Sequence, residues 1–320
     1  MSRARRSMVG HDDSKPFIHR PVMVDEVVAL IADVPAGEVL DATVGGGGHT
    51  AAILDSRPDL RVVGLDQDPT ALAAAERHLV SRSERVRLVR ARFDRLAQVL
   101  ADIGVERLSG FLFDLGVSSP QLDSAERGFS FRHDGPLDMR MDTDQATSAA
   151  DVVNTYTAAE LARVLRRHAD ERFANRIAEA IVAARPVDGT ARLADVVVSA
   201  VPAAARRGVG HPARRTFQAI RIEVNDELAV IEPALVDALE RLDVGGRGIV
   251  LTYHSGEDRI VKDVFRRSST SDDPPGLPVE VQAPKFAVDR PAARKATAAE
   301  QADNPRATSA RLRSIQRLAA

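Results

Sequence analysis

Four consecutive glycines, Gly45 to Gly48, stand between a short apolar run that ends in Asp41 and an alanine-rich stretch of helical pattern that begins at His49. A buried strand, a tight turn and a helix N-terminus follow one another in that order. No residue of the turn carries a Cβ, so a ligand can lie directly against the backbone. Glycines alone suit a flexible loop tip equally well. Their position between strand and helix is what points to a cofactor site, because ligands of open α/β sheets bind beyond the carboxyl ends of the strands.

The unit repeats. Residues 61–66 form a second apolar run ending in Asp66, and Asp68-Pro69 then caps and opens a helix through Ala71, Leu72, Ala75 and Leu79. Residues 86–93 read as a third strand, 95–103 as a helix, and 111–114 as a fourth strand ending in Asp114. Upstream, residues 17–32 read as a helix, with Pro21 early and Val24, Val27, Val28 and Ile31 at helical spacing. Repeated βα units predict an α/β fold with a parallel, doubly wound sheet.

The rhythm breaks after Asp114. Residues 115–136 read as a loop rich in Gly, Ser, Pro and Asp, and between residues 146 and 199 every strong segment is helical: 148–154, 158–167, 171–184 and 193–200. That span reads as a helical insertion into the sheet domain. A helix from Pro212 and another over 226–242 return the chain to a fifth strand, 248–253, with a helix over 259–267. Two weaker strand candidates, 279–287 and 310–318, can close the sheet antiparallel, with loop between them.

Composition narrows the function. A length of 320 residues allows two domains or one domain with a large insertion. Cys 0 excludes disulfides and thiolate metal sites and fits a reducing, cytoplasmic setting. No apolar run reaches the roughly 18 residues of a membrane span, and the basic N-terminus lacks the apolar core of a secretory signal. A net charge of -2 argues against nonspecific coating of nucleic acid, while a local basic patch remains compatible with it.

Strand ends of a parallel sheet lie side by side, so Asp41, Asp66 and Asp114 should line one cleft. Asp66 lies about twenty residues past the glycine turn, where an acid reaches a ribose diol. Dinucleotide dehydrogenases and S-adenosylmethionine-dependent methyltransferases share that feature, and Gly46, Gly48 and Ala51 satisfy a loosened G-x-G-x-x-A spacing. Asp41 tips the balance. A carboxylate directly ahead of the loop repels a pyrophosphate, which wants a bare helix N-terminus, and it suits the cationic amino and sulfonium end of S-adenosylmethionine. Phe93 is then an apolar face for adenine, or else a plain core aromatic, with Asp94 beside it.

Several longer motifs carry a resemblance. Gly45 to Thr50, the run Asp114-Leu115-Gly116-Val117-Ser118-Ser119-Pro120-Gln121-Leu122-Asp123, the run Glu126-Arg127-Gly128-Phe129-Ser130-Phe131, and Gly135-Pro136-Leu137-Asp138-Met139-Arg140-Met141 closely resemble the bacterial ribosomal RNA small-subunit methyltransferase H family. His211-Pro212-Ala213, Arg215-Thr216-Phe217-Gln218-Ala219, Tyr253-His254-Ser255, Glu257-Asp258-Arg259 and Asn304-Pro305-Arg306 extend it over nearly the whole chain. The resemblance implies a Rossmann-like class I S-adenosylmethionine-dependent methyltransferase sheet, residues 17–127 and 216–320, with an inserted helical substrate-recognition domain over 128–215; residues 1–16, ahead of it, read from their composition as a disordered tail. It implies transfer to the 4-amino group of a P-site cytidine in 16S ribosomal RNA. The cofactor residues carried over are Gly47, Gly48, His49, Asp66, Phe93, Asp114 and Gln121, with no metal. The implied partner is small-subunit ribosomal RNA or the 30S particle, with a homodimer left open and no membrane. Two departures stand out: Gly46 where relatives often carry a larger residue, and Gly256 where a leucine is usual.

A cytosine amine is a poor nucleophile because its lone pair is delocalised into the ring. Many amino methyltransferases follow the fourth strand with an Asn/Asp-Pro-Pro-aromatic turn; here the sequence is Asp114-Leu115-Gly116-Val117, with no aromatic. The expected catalytic groups are Asp114, or nearby carbonyls, as acceptor of the amine hydrogens, and His254 approaching the same cleft, although His254 is equally readable as a hydrogen-bonded structural residue. The expected RNA-facing surface is the insertion with residues 206–215, which hold four arginines and no acid. A nicotinamide oxidoreductase and a noncatalytic RNA-binding factor are the rival classes. A serine hydrolase is disfavoured because neither Ser118 nor Ser255 sits in a G-x-S-x-G elbow.

Overall fold

The computed structural model describes residues 21–207, 210–270 and 283–319. The expected N-terminal tail, the first residues of the 17–32 helix and residues 279–282 of the 279–287 strand candidate lie outside them. Helix α1 (Val24–Ile31) turns Val27, Leu30 and Ile31 inward and leads into β1 (Gly37–Asp41). The glycine turn opens directly into α2 (Gly48–Ser56), and β2 (Leu60–Asp66) follows. Helix α3 (Pro69–His78) starts where the Asp68 side chain accepts the Thr70 N–H, with Pro69 in the first turn. Next come β3 (Val86–Arg90), α4 (Leu96–Asp102) and β4 (Leu108–Asp114).

Strand β3 stops short of the expected Phe93. The Ala91 N–H bonds to the Asp66 carbonyl, and Phe93 then enters a single 3-10 turn. Strand β4 starts earlier than expected, because Leu108, Ser109 and Gly110 are buried and Leu108 and Gly110 already pair with β5, across a register shift at Ser109.

The chain then leaves the sheet. Loop residues 115–136 contain the short helix α5 (Ser119–Asp123), at whose start Gln121 Oε1 reaches back to accept the Ser118 N–H. Helices α6 (Ala149–Thr155), α7 (Ala158–Ala169), α8 (Ala174–Ala183), α9 (Thr190–Ala200) and α10 (Arg214–Asn225) follow. They share an apolar cluster that runs from Phe129 to Val224. Helix α10, placed by the sequence with the sheet, contributes Phe217, Ala219, Ile220 and Val224 to this helical cluster. Its last residue stitches the layer: Asn225 Nδ2 donates to the Met139 carbonyl at 2.8 Å and its Oδ1 accepts the Met141 N–H at 2.7 Å.

Helix α11 (Ile231–Arg241) brings the chain back to β5 (Leu242–Thr252), and α12 (Ser255–Ser268) covers it. After the undescribed stretch come β6 (Phe286–Val288), β7 (Arg294–Lys295), α13 (Ala298–Asp303) and β8 (Arg311–Arg317). The region expected as loop thus holds a two-residue strand and a short helix. The sheet order is β3-β2-β1-β4-β5-β8-β6, with β7 also on β8. The first five strands are parallel; β8 is antiparallel to β5, pairing Leu312 with Leu251.

Both faces are covered, so successive strand residues alternate between two apolar layers rather than between core and water. Leu40, Val63, Phe113 and Val250 pack under α4, α11 and α12, while Val39, Val62, Leu112 and Ile249 pack under α1 and α2. Gly248 is obligatory in this packing, since a Cβ there would sit 2.1 Å from the Phe111 ring. Strand β1 is flanked by β2 on one side and β4 on the other, so the order reverses there and a crevice opens at the carboxyl ends. Register sharpens the point. Asp41 pairs with Gly64 and with Leu112, so Asp66 and Asp114 each extend two residues past Asp41 on either side of the departing loop.

Candidate active site

The glycine turn is held from below and from the side. Asp41 is 1% exposed and accepts the Thr50 hydroxyl at 2.6 Å and the Thr43 N–H at 3.3 Å. Burial pushes its carboxyl up, against the pull of Thr50, His49 and Thr43. Asp41 thus ties β1 to the first turn of α2 and does not open onto the crevice. The Gly45 N–H donates to Asp66 at 2.9 Å and the Gly47 N–H to the Val44 carbonyl at 2.8 Å. Gly45 and Gly47 have φ of +52° and +80°, a left-handed backbone that glycine adopts without strain. A Cβ on Gly48 would lie 2.5 Å from Pro21, whereas one on Gly46 would meet nothing within 4 Å, so a larger residue fits there.

Asp66 is half-buried and accepts two backbone N–H groups, from Gly45 and from Asp68, each at 2.9 Å. Burial nevertheless pushes its carboxyl up to about 6. Phe93 stands beyond the end of β3, half-buried, with its ring edge-on to Phe113 at 5.5 Å. Asp94 is engaged by Arg92 through two bonds of 2.9 and 2.6 Å. Gln121 is 4% exposed and braces the loop: its Oε1 accepts the Ser118 N–H at 3.0 Å and its Nε2 donates to Asp68 at 2.9 Å. Asp68 is itself buried and also accepts Arg127 Nη1 at 2.7 Å.

Asp114 occupies the other bank. Its N–H donates to the Thr43 hydroxyl at 2.7 Å, its Oδ1 accepts the Tyr253 hydroxyl at 2.6 Å, and its Oδ2 lies 3.5 Å from His49 Nε2. His49 is buried in the first turn of α2, and neither ring nitrogen has a hydrogen-bond partner within the protein.

His254 is placed otherwise than its expected approach to the cleft. Its Nδ1 accepts the N–H groups of Gly256 and Glu257 at 3.2 and 3.4 Å, and its Nε2 lies 3.1 Å from Glu257 Oε1. The ring therefore folds back over the start of α12, the helix it caps. Gly256 leaves it the room, since a Cβ there would lie 3.1 Å from the ring. Tyr253, which precedes it, reaches Asp114 instead. Sequence reading passed over Thr43, Asp68, Arg127 and Tyr253; the available signal was their adjacency to Asp41, Asp66, Gly128 and His254.

In the helical layer, Arg206 donates to the carbonyls of Val201 and Ser199 at 2.8 and 3.2 Å and so caps the end of α9. Arg214 and Arg215 are exposed at the start of α10, with Arg215 donating to the Asp170 carbonyl at 3.4 Å. His211, also exposed, stacks on Phe131 at 4.4 Å. Residues 208–209 and the Arg207 side chain lie outside the described part. Among the described residues there is no cluster of acids and histidines suited to a metal ion, and no helix long and apolar enough to cross a membrane.

The model of the MraW methylase family matches residues 16–318. The chain is 51% identical to the ribosomal RNA small subunit methyltransferase H of Thermobifida fusca, over 98% of each chain. It is 50% identical to the protein of that name from Saccharopolyspora erythraea, over 94% of this chain and 93% of that one. Among solved structures it is similar to an rRNA methylase from Streptococcus thermophilus, with 14% identity and a TM-score of 0.43 over 95% of this chain and 100% of that one.

Proposed function

The chain belongs to the MraW methylase family, and from that premise we propose that it is an S-adenosylmethionine-dependent enzyme that methylates the exocyclic 4-amino group of a P-site cytidine in 16S ribosomal RNA. The observation that carries the reading is the pair Asp66 and Asp114, standing at one level on the two banks of the glycine turn. The residues present fit the cofactor. The Gly45 and Gly47 N–H groups, which a pyrophosphate would need, are already engaged by Asp66 and Val44. The two unpartnered ring nitrogens of buried His49 call for a polar ligand. S-adenosylmethionine, when bound, supplies an electrophilic methyl group.

In this reading Asp66 accepts the ribose hydroxyls, Phe93 offers adenine an apolar face, and Gly47, Gly48 and His49 line the amino-acid end. Gln121 steadies the loop over the site through Asp68. Asp114 accepts a hydrogen of the target amine, localising the nitrogen lone pair and aiming it at the methyl group. Such alignment contributes on the order of 7–11 kcal/mol, and an acceptor already in place stabilises the charge that develops on nitrogen. His254 acts through the turn it caps, fixing Tyr253 and Glu257. The target base must leave its stack to reach the crevice, and Arg214, Arg215 and His211 mark the surface that takes the surrounding RNA.

The enzyme is proposed to work in the cytoplasm on small-subunit ribosomal RNA or the 30S particle; light scattering of the purified protein reads whether it is a homodimer. The test of function is mass spectrometry of 16S ribosomal RNA from cells lacking the protein, followed by incubation of that RNA with the pure enzyme. One missing N4-methyl mark, restored in vitro with S-adenosylmethionine, is the expected result. An unchanged set of marks refutes the substrate. A rise in melting temperature with NAD but not with S-adenosylmethionine refutes the cofactor.

A further inference from the structure

Tyr253 follows directly on β5 and packs its ring against the apolar layer beneath α1. A core role accounts for the ring, but not for the hydroxyl. Its Oη donates to Asp114 Oδ1 at 2.6 Å, a short, charge-assisted bond. The Tyr253 backbone is fixed in turn, because its N–H donates at 2.7 Å to Glu257, a carboxylate only 1% exposed. Gly116, at φ +98°, carries the loop after β4 across the ring, and a Cβ there would stand 3.5 Å from Tyr253 Cδ2. Burial and the neighbouring Asp114 charge hold the phenol well above its ordinary value, so it stays a donor at every working pH.

The consequence lies in how a carboxylate turns. The last torsion of an aspartate is soft and roughly two-fold, so an unrestrained Asp114 presents either oxygen in many orientations. Here the Thr43 hydroxyl holds its N–H and Tyr253 holds Oδ1. Oδ2 is left on the other side, 3.5 Å from His49.

We infer that Tyr253 is a positioning residue of the methyl transfer: by occupying Oδ1 it fixes the plane of Asp114 and commits Oδ2 to the amine. The inference rests on Asp114 being the amine acceptor. In the step, the amine lone pair forms the new nitrogen–carbon bond as the methyl–sulfur bond breaks and leaves its electron pair on sulfur. The nitrogen then gives one hydrogen, as a proton, to Oδ2, and Asp114 returns it to solvent as product leaves.

The test is a double-mutant cycle in the full-length enzyme, with unmethylated 30S particles as substrate. Tyr253→Phe keeps the ring and removes the donor. Its kcat should fall roughly 10- to 100-fold, as expected for a lost hydrogen bond to a charged group, with KM for the particle and Kd for the cofactor within about twofold of wild type. In an Asp114→Asn background the same change should alter kcat by less than about twofold, because the partner is already gone. A wild-type kcat in Tyr253→Phe overturns the inference. So does an equal loss in both backgrounds, or a loss of cofactor affinity that matches the loss of rate. Wild-type turnover in Asp114→Asn instead refutes the assignment of Asp114 as acceptor, whereas an inactive Asp114→Asn beside a fully active Tyr253→Phe refutes only the role of Tyr253.

Discussion

As the proposed acceptor of the ribose hydroxyls, Asp66 should make cofactor binding depend on pH in a window where few other carboxylates titrate. Burial pushes it from 3.8 to about 6, although the N–H groups of Asp68 and Gly45 pull the other way. The sign follows from linkage. A carboxyl raised in the folded state binds its proton more tightly than in the unfolded chain. The stability it contributes is fully present below about 3.8 and is lost as pH rises through about 6. At neutral pH the fold therefore holds an ionised group that its surroundings disfavour. Ribose hydroxyls donating to Asp66 would favour the ionised form and offset that penalty.

The magnitude follows from the same value. With a carboxyl at about 6, roughly nine-tenths of the sites are ionised at about pH 7 and one-tenth at about pH 5. If only the ionised form accepts the hydroxyls, the apparent Kd rises about tenfold across that span, or about 1.4 kcal/mol. Titration calorimetry with S-adenosylhomocysteine at constant ionic strength measures it, and repeating the runs in buffers of different ionisation enthalpy counts the proton. Asp66→Asn should bind more weakly at neutral pH and lose the dependence. A wild-type Kd that changes less than about twofold between about pH 5 and about pH 7, or a tenfold slope that survives in Asp66→Asn, refutes the reasoning.

Gly135→Ala should lower stability by about 3 kcal/mol, because its Cβ would lie 1.9 Å from the Ala125 carbonyl oxygen, whereas Gly46→Ala, with nothing within 4 Å, should leave the melting temperature unchanged. Asp68→Ala should cost about 3–5 kcal/mol in chemical denaturation, since it strands Arg127 and removes the anchor of Gln121. Replacing Arg214 and Arg215 by Glu should flatten the salt dependence of RNA binding by about 0.7–0.9 in slope for each phosphate charge left unneutralised. Arg206→Ala should leave that slope alone and act on the melting temperature, through the α9 carbonyls it caps.

The frame of the site was legible because its cause is local. An apolar run ending in an acid, then glycine or a cap, then helix, specifies a strand terminus, and parallel pairing brings such termini together wherever they fall in the chain. What stayed hidden depends on contacts between distant residues. Tyr253 and Asp114 are 139 positions apart, and Arg127 and Asp68 are 59 apart. No periodicity relates either pair. The allegiance of α10 was misread for a related reason. The boundary at 215/216 put it with the sheet, while the apolar stripe of Phe217, Ile220 and Val224 was equally suited to packing on the helices or on the sheet. The short α5 and α13 escaped because five or six residues hold too little of the helical period to register.

Burial separates the acids that support the crevice from those able to touch what enters it. Asp41 and Asp68 are each 1% exposed, and their oxygens are taken up by Thr50 and Thr43 in one case and by Thr70, Gln121 and Arg127 in the other. The side chain of Asp114 keeps 26% of its surface open, with one oxygen bound to Tyr253 and the other 3.5 Å from His49, whose ring nitrogens have no hydrogen-bond partner within the protein. A buried carboxylate whose hydrogen bonds are complete gains nothing from a ligand, whereas a partly open one can exchange water for ligand donors. By this criterion Asp41 is not placed to touch the cationic end of the cofactor, as the sequence reading expected, whereas Asp114, two residues higher on the adjacent strand, is open to the crevice. Asp41 still acts from beneath. Its charge lies next to His49 and Thr50, and by holding the first turn of α2 it sets where the His49 ring meets the second oxygen of Asp114.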